Sequence, residues 1–358
     1  LYTSLDLRSH QAAHKALNNR KGAVVAIDIK DGSIVTLVSS PTFSTNQLAN
    51  GILQKDFDEL LLSEEKPFFN RALKGRYPPA SSIKPAIAMY GIEEGLIDWD
   101  FSIFDEGFFT LPEDGRIYRD WKEGGHGDTN LFKAITQSSN TYFFDLAYRS
   151  DINQLNKHLS SLGFGGKTCI DCFEEDKVFV PEPSWKMNKH NFGWFKGDTV
   201  NMGVGQGYLV STPIQLAKYA YIMANKGKFS DLSLKKDLVK SEKSIEFNKF
   251  SNDDWFKLHE SMVNVIEGNT GTARRLRDRK NYIVAAKTGT AELVSGDNRE
   301  QYSETRLDDS LRDHALIIAF GPMPNPRYAV SVVVENGESG GSVAGPVAIS
   351  VLNSLIQE

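Results

Sequence analysis

Residues 1–20 read as an amphipathic helix, with apolar or small residues at Leu7, Ala12, Ala13 and Leu17. Lys21-Gly22 ends that run. The period then changes. AVVAIDI and SIVTLVSS are β-branched runs separated by Lys30-Asp31-Gly32, which predicts a hairpin over 23–39. Residues 41–80 are loop-rich and close on Arg76-Tyr77-Pro78-Pro79-Ala80. A helix is expected from Ser81 through KPAIAMYGIEEG, and residues 101–130 are turn-rich and aromatic. LFKAITQSSNTYFFDLAYR is helical by spacing, and INQLNKHLSSLGFG is another helix, closed by Gly163 and Gly165. STPIQLAKYAYIMANKG has Pro213 in its first turn and Gly227 as its stop. A Lys/Ser/Glu-rich excursion over 228–250 precedes a helix in FKLHESMVNVIEG. Three strand signals follow (NYIVAAKTGTAEL, HALIIAFGPM and RYAVSVVVENG), and the helix VAGPVAISVLNSLI closes the chain.

Strands at both ends and helices between them predict an α+β fold. The terminal strands pair into one antiparallel sheet flanked by helices, with an all-helical lobe inserted. Residues 1–80 and 265–358 would supply the sheet lobe and 81–264 most of the helical lobe. A cleft between lobes is the natural place for a site.

Length and charge narrow the class. The chain has 358 residues, 40% hydrophobic and 24% charged, with a formal net charge of −5. Such a chain buries a core unaided, and its acidic balance argues against nucleic acid as a partner. No run of about 18 apolar residues is present, so no membrane span is expected within it. The chain opens in polar sequence with neither Met nor a basic-then-apolar leader. It therefore reads as an excised fragment whose signal or anchor would lie upstream. The two cysteines, Cys169 and Cys172 in KTCIDC, leave open a small-loop disulfide, two small residues without chemistry, or a reactive thiol pair; a four-Cys zinc site is impossible with only two.

Three motifs carry the chemistry. Ser81-Ser82-Ile83-Lys84 places a hydroxyl and an amine three residues apart, on one face of a helix. A desolvated lysine loses its charge readily and can take the serine proton. The same spacing occurs at Ser63/Lys66 and Ser233/Lys236, but there in charged, loop-like sequence; only Ser81 follows a Pro-Pro turn and opens an apolar helix. Ser138-Ser139-Asn140 offers a proton relay and an amide. Lys287-Thr288-Gly289-Thr290 presents a cation and hydroxyls from a strand, with a glycine that admits a substrate backbone. The three occur in that order, separated by 57 and 149 residues. In that order they resemble the S-x-x-K, S-D-N and K-T-G signature of penicillin-binding proteins and serine β-lactamases, with Ser139 at the middle position of the second.

The resemblance extends over nearly the whole chain. GAVVAIDIKDGSIVTLVSSPTFSTN, RYPPASSIKP, FDEGFFTLP, GVGQGYLVSTPIQLAKYAYIMANKG and AAKTGTAE resemble the transpeptidase domain of class B penicillin-binding proteins. YRDWKEGGHG points to the elongation type, penicillin-binding protein 2. The resemblance implies an enzyme that cross-links peptidoglycan stem peptides, is acylated by β-lactam antibiotics, and is tethered at the periplasmic face of the bacterial inner membrane. It also implies an elongation-complex glycosyltransferase and morphogenesis proteins as partners. By resemblance, Ser81 attacks the donor carbonyl and Lys84 takes its proton. Ser138 relays the proton to the leaving group, and Asn140 holds the donor and Lys84. Lys287 supplies positive potential, and Thr288, Gly289 and Thr290 receive the donor and its carboxylate. A β-lactam sensor or a serine β-lactamase of the same fold is the alternative; no E-x-x-L-N loop supplies a hydrolytic base.

No cofactor is required by this scheme. Some elongation-type members hold zinc with two Asp, one His and one Cys. Asp105, Asp120 and His126 match the first three, but Ser139 stands where the Cys would fall. A hydroxyl is a poor zinc ligand beside a thiolate. The expectation is weak or absent zinc, with Asp120 and His126 tying a loop together by hydrogen bonds.

Overall fold

The computed structural model describes residues 2–236, 238, 240–293 and 311–356. Five strands form one antiparallel sheet in the order Ser33–Ser40, Gly22–Asp28, Tyr328–Val334, His314–Gly321, Ala285–Ala291. The hairpin turn holds Gly32 at φ 72°, a conformation open to glycine at little cost. Strands from opposite ends of the chain thus meet at the centre of the sheet, and the Lys-Thr-Gly strand lies at its edge.

Both faces of the sheet are covered, which explains why its strands read as nearly continuous apolar runs. On one face Val24, Ala26, Ile317, Ala319, Val330 and Val332 pack with Leu17 of the helix Leu7–Leu17 and with Val351 and Leu352 of the closing helix Gly345–Ile356. On the other, Ala23, Val25, Ile27, Leu316, Ile318 and Phe320 join a larger core built with the middle helices. There the helix Pro213–Ala224 is buried along its whole length, and its start carries Pro213 and a Thr212/Gln215 capping box.

Three expectations change in the middle of the chain. The predicted helix over 131–149 is two helices, Leu131–Gln137 and Asn140–Arg149, broken where Ser138 turns left-handed at φ 62°. The helix expected from Ser81 begins as a 3-10 turn over Ala80–Ile83 and becomes α-helical only at Lys84–Glu93. Residues 101–130 carry two small two-stranded sheets, pairing Ser102–Asp105 with Gly127–Asn130 and Phe108–Thr110 with Ile117–Arg119. Cys169 and Cys172 are joined in a disulfide. Between them Asp171 accepts hydrogen bonds from the backbone of Leu234 and Lys235, pinning the start of the 228–250 excursion.

Candidate active site

The serine of the first motif is delivered by a strained turn. Ala80, just before it, is left-handed at φ 48°, and its N–H donates to Gly205 O at 2.8 Å. Gly205 itself stands at φ 71°, and a Cβ there would fall 2.2 Å from Ala80 O. Neither backbone could approach so closely with a side chain at 205. Ser82 does not share the role of Ser81: it is fully buried, and its hydroxyl donates to Pro79 O at 2.6 Å, closing the turn.

Lys84 follows at the head of the helix, fully buried. Its Nζ donates to Asn140 Oδ1 at 2.7 Å, Ser138 O at 2.8 Å and Ser139 O at 3.0 Å, with Ser138 Oγ at 3.4 Å. The break at Ser138 makes this possible, because helix interruption turns two carbonyls toward the amine. No hydrogen bond joins Lys84 to Ser81. Burial pulls the lysine down from 10.5 to about 7, against the raising effect of Asp120 and Asp105. Both protonation states are therefore populated at neutral pH. As an ammonium it fills three acceptors; as an amine it keeps two and gains a lone pair.

From the sheet edge, Lys287 donates to Ser138 Oγ at 2.8 Å and to Thr288 O at 3.2 Å. It too is fully buried, and burial, then the neighbouring Lys84, holds it well below the ordinary lysine range. One serine hydroxyl thus bridges two desolvated amines, the arrangement expected of a proton relay. Gly289 lets the strand edge sit against the turn that carries Ser81: a Cβ there would lie 3.1 Å from Pro79 O and 3.3 Å from Ser82 N. Thr290 is exposed, whereas Thr288 is mostly buried and pairs with Thr272 Oγ1 at 2.7 Å.

The structure therefore brings Ser81, Lys84, Ser138, Asn140, Lys287 and Thr288 to Thr290 to one place. Sequence reasoning assigned no role to three neighbours. Thr272 orients Thr288, Gln206 Nε2 donates to Thr290 O at 3.3 Å, and Trp121 Nε1 donates to Ser138 O at 3.2 Å. Trp121 lies inside YRDWKEGGHG, the one signal that could have found it. Gln206 lies in the same way inside GVGQGYLVSTPIQLAKYAYIMANKG, and nothing local marks Thr272.

Asp105, Asp120 and His126 also converge, their ligand atoms within 4.8 Å of one another. Their donor set does not fit a closed zinc site. Ser139 offers a hydroxyl that already donates to Asp105 Oδ2 at 2.7 Å. Asp120 Oδ2 accepts the N–H groups of Asn140 at 2.5 Å and Thr141 at 2.9 Å. His126 meets Asp120 Oδ1 at 3.3 Å and Gln137 Oε1 at 3.0 Å. The carboxylate oxygens already accept hydrogen bonds from protein donors, and the fourth ligand lacks charge and softness.

The sequence profile of the penicillin binding protein transpeptidase domain matches residues 22–353. The chain belongs to that family. It is 40% identical over 353 residues to the peptidoglycan D,D-transpeptidase MrdA of Acinetobacter baumannii, covering 96% of this chain and 52% of that protein. It is 34% identical over 364 residues to the Escherichia coli K12 protein of the same name, covering 99% and 57%. The chain thus spans about half the length of these curated relatives. Among solved structures it superimposes on Pseudomonas aeruginosa PBP2 in complex with WCK 5153 with a TM-score of 0.90, at 36% identity over 99% of this chain and 75% of that one. It also resembles PBP2 of Helicobacter pylori in complex with MreC, with a TM-score of 0.87, 29% identity and coverage of 99% and 63%. The α+β architecture with its antiparallel sheet is the fold of this family.

Proposed function

We propose that the chain is the catalytic domain of a peptidoglycan D,D-transpeptidase that works through a serine acyl-enzyme. The observation that carries this reading is the Ser138 hydroxyl held between two buried amines, one from the helix that follows Ser81 and one from the sheet edge. In the reading, neutral Lys84 takes the Ser81 proton as Oγ attacks the carbonyl of a donor stem peptide ending in D-Ala–D-Ala. Backbone N–H groups of Ser81 and Thr290 receive the developing oxyanion. The proton passes through Ser138 to the departing D-Ala amine as the peptide bond breaks. An acceptor amine then attacks the Ser81 ester, forms the cross-link and frees the hydroxyl. Lys287 and the Thr288 and Thr290 hydroxyls hold the donor carboxylate, and Asn140 donates its amide N–H to the donor backbone. A β-lactam follows the first half of this path and stays attached.

Hydrolysis in place of transfer would need a base for water. The carboxylates whose charge reaches Lys84 are Asp120 and Asp105, and both are occupied by hydrogen bonds. This favours the transpeptidase over a β-lactamase. By similarity to relatives solved with MreC and in a peptidoglycan synthase complex, the proposed partners are a morphogenesis protein and a glycosyltransferase. The proposed place of action is the periplasmic face of the inner membrane. Among the described residues no helix is long and apolar enough to cross a membrane.

Labelling with a fluorescent penicillin tests the reading. The chain should form an adduct stable for hours, Ser81→Ala should form none while folding normally, and an acceptor amine should accelerate release of a donor thioester. An adduct that survives in Ser81→Ala would refute the nucleophile; turnover within minutes without acceptor would favour a β-lactamase. Stable labelling with no acceptor dependence would favour a sensor.

A further inference from the structure

Residues 105–126 grip the catalytic turn over 137–142 at four points. Ser139 Oγ donates to Asp105 Oδ2 and also accepts the Tyr142 N–H at 3.1 Å, so one hydroxyl both ties the two segments and caps the helix Asn140–Arg149. Asp120 Oδ2 accepts the first two N–H groups of that helix, where a carboxylate is favoured by the helix dipole. The His126 ring bridges Asp120 to Gln137, the last residue of the preceding helix. Trp121 Nε1 donates to the carbonyl of Ser138 itself, and its ring meets His126 edge-on at 5.5 Å. Asp105 and Ser139 are fully buried. The points of attachment fall at Gln137, Ser138, Ser139, Asn140 and Thr141, the stretch that holds Lys84.

We propose that in this chain Asp105, Asp120, Trp121, His126 and Ser139 form a metal-independent clasp, whose work is to hold the left-handed turn at Ser138 and so position Ser138 and Asn140 for acyl transfer. The inference rests on the serine acyl-enzyme reading above and goes beyond it in assigning these five as positioning residues. Ser139 is the decisive one. A thiolate at 139 would add a charge to two carboxylates and need a cation to balance it. A hydroxyl instead donates a hydrogen bond to Asp105, so the cluster closes on itself without one. The clasp is also directional. It pulls the Ser138 carbonyl toward Trp121 and the helix start toward Asp120, leaving the Ser138 hydroxyl to the two lysines.

The test uses the 358-residue chain with a fluorescent penicillin, following acylation rate and noncovalent affinity separately, together with Tm and elemental analysis. The purified chain should hold under about a tenth of an equivalent of zinc, and EDTA should change neither Tm nor acylation rate by more than about twofold. Ser139→Ala leaves a buried carboxylate oxygen and the Tyr142 N–H without their partner. It should slow acylation about tenfold or more, with noncovalent affinity unchanged, and added zinc should not restore it. Trp121→Phe keeps a ring against His126 and removes only the donor to Ser138. Because Trp121 is exposed, it should fold normally, keep its Tm and acylate about 2- to 10-fold more slowly. Ser139→Cys should gain zinc and become EDTA-sensitive. A near-equivalent of zinc in the unmodified chain, or acylation slowed by EDTA, overturns metal independence. Wild-type acylation rates in both Ser139→Ala and Trp121→Phe overturn the positioning role. If Ser139→Ala does not fold, Trp121→Phe and the EDTA arm decide. A wild-type chain that takes no penicillin at all counts against the acyl-enzyme reading, and zinc content and Tm still test metal independence.

Discussion

The position of Lys84 makes a quantitative demand on pH. With burial holding its pKa near 7, about a tenth of the amine is neutral at pH 6, half at pH 7 and about nine-tenths at pH 8. If neutral Lys84 is the base, acylation should rise about tenfold from pH 6 to pH 8 and then level off. A lysine at the ordinary value of 10.5 would instead give about a hundredfold rise over the same interval and no plateau below pH 10. The same proton appears in stability. Between pH 7 and 10.5 the unfolded chain holds this proton and the folded chain has released it, so the unfolded state binds more protons and stability rises with pH. The cost of the buried charge is fully present below about pH 7 and gone above 10.5. Within that window one lysine contributes a slope of about 1.4 kcal/mol per pH unit. Lys84→Met keeps the length of the side chain and removes the titrating group. Stopped-flow acylation of the parent at half-unit pH steps, and urea unfolding of parent and variant at pH 7, 8 and 9, read both consequences. The parent should gain stability relative to Lys84→Met as pH rises, and its acylation curve should bend near pH 7. Acylation climbing tenfold per unit through pH 9, or parallel stability curves, would refute a depressed Lys84.

Thr290→Val removes an exposed hydroxyl but keeps the backbone N–H; it should slow acylation by a carboxylate-bearing penicillin by roughly 1.5–3 kcal/mol, about 10- to 150-fold. A carboxylate ester should react slowly with both proteins and show little difference, and equal slowing of acid and ester would mean that the oxyanion site, not the carboxylate, had been disturbed. Gly205→Ala puts a methyl 2.2 Å from Ala80 O at a backbone φ of 71°, so it should cost about 1–3 kcal/mol in urea unfolding and also slow acylation by moving the Ser81 turn. A variant with full stability and full rate would show that the close approach of 205 to 80 does not set the nucleophile.

Much of this was legible from local rules, and the exceptions share a cause. The Asp31-Gly32 turn, Pro213 at a helix start and the β-branched runs each form structures that their own residues favour, so the sheet and its covering helices could be anticipated. The break at Ser138 could not. Serine seldom adopts a left-handed conformation, and the run from Leu131 to Arg149 keeps helical spacing straight through it. What holds Ser138 there comes from three distant segments: Lys84 on its carbonyl, Trp121 on the same carbonyl, and Lys287 on its hydroxyl. The left-handed Ala80 is likewise held by Gly205, far along the chain. A tertiary grip of this kind overrides local preference and leaves no trace in a window of neighbouring residues.

The two overridden turns are also where the chemistry sits. In the proposed mechanism Ala80 aims the serine and Ser138 aims the relay, and each is a strained residue held by contacts made across the molecule. The two lysines add a second unfavourable feature, since burying two amines around one hydroxyl raises the cost of charging either. Packing alone would remove all of these. Their persistence at one place, flanked by Gly205 and Gly289 where a side chain would push the backbones apart, argues that stability has been spent to hold an amine near neutrality beside an aimed hydroxyl. That argument has a measurable edge. Lys84→Met should unfold at higher urea than the parent at pH 6, where the parent carries the full cost of its buried charge, while losing acylation. A variant both inactive and less stable at pH 6 would mean that the hydrogen bonds from Lys84 to Ser138, Ser139 and Asn140 outweigh desolvation, and that the amine serves the fold as well as the reaction.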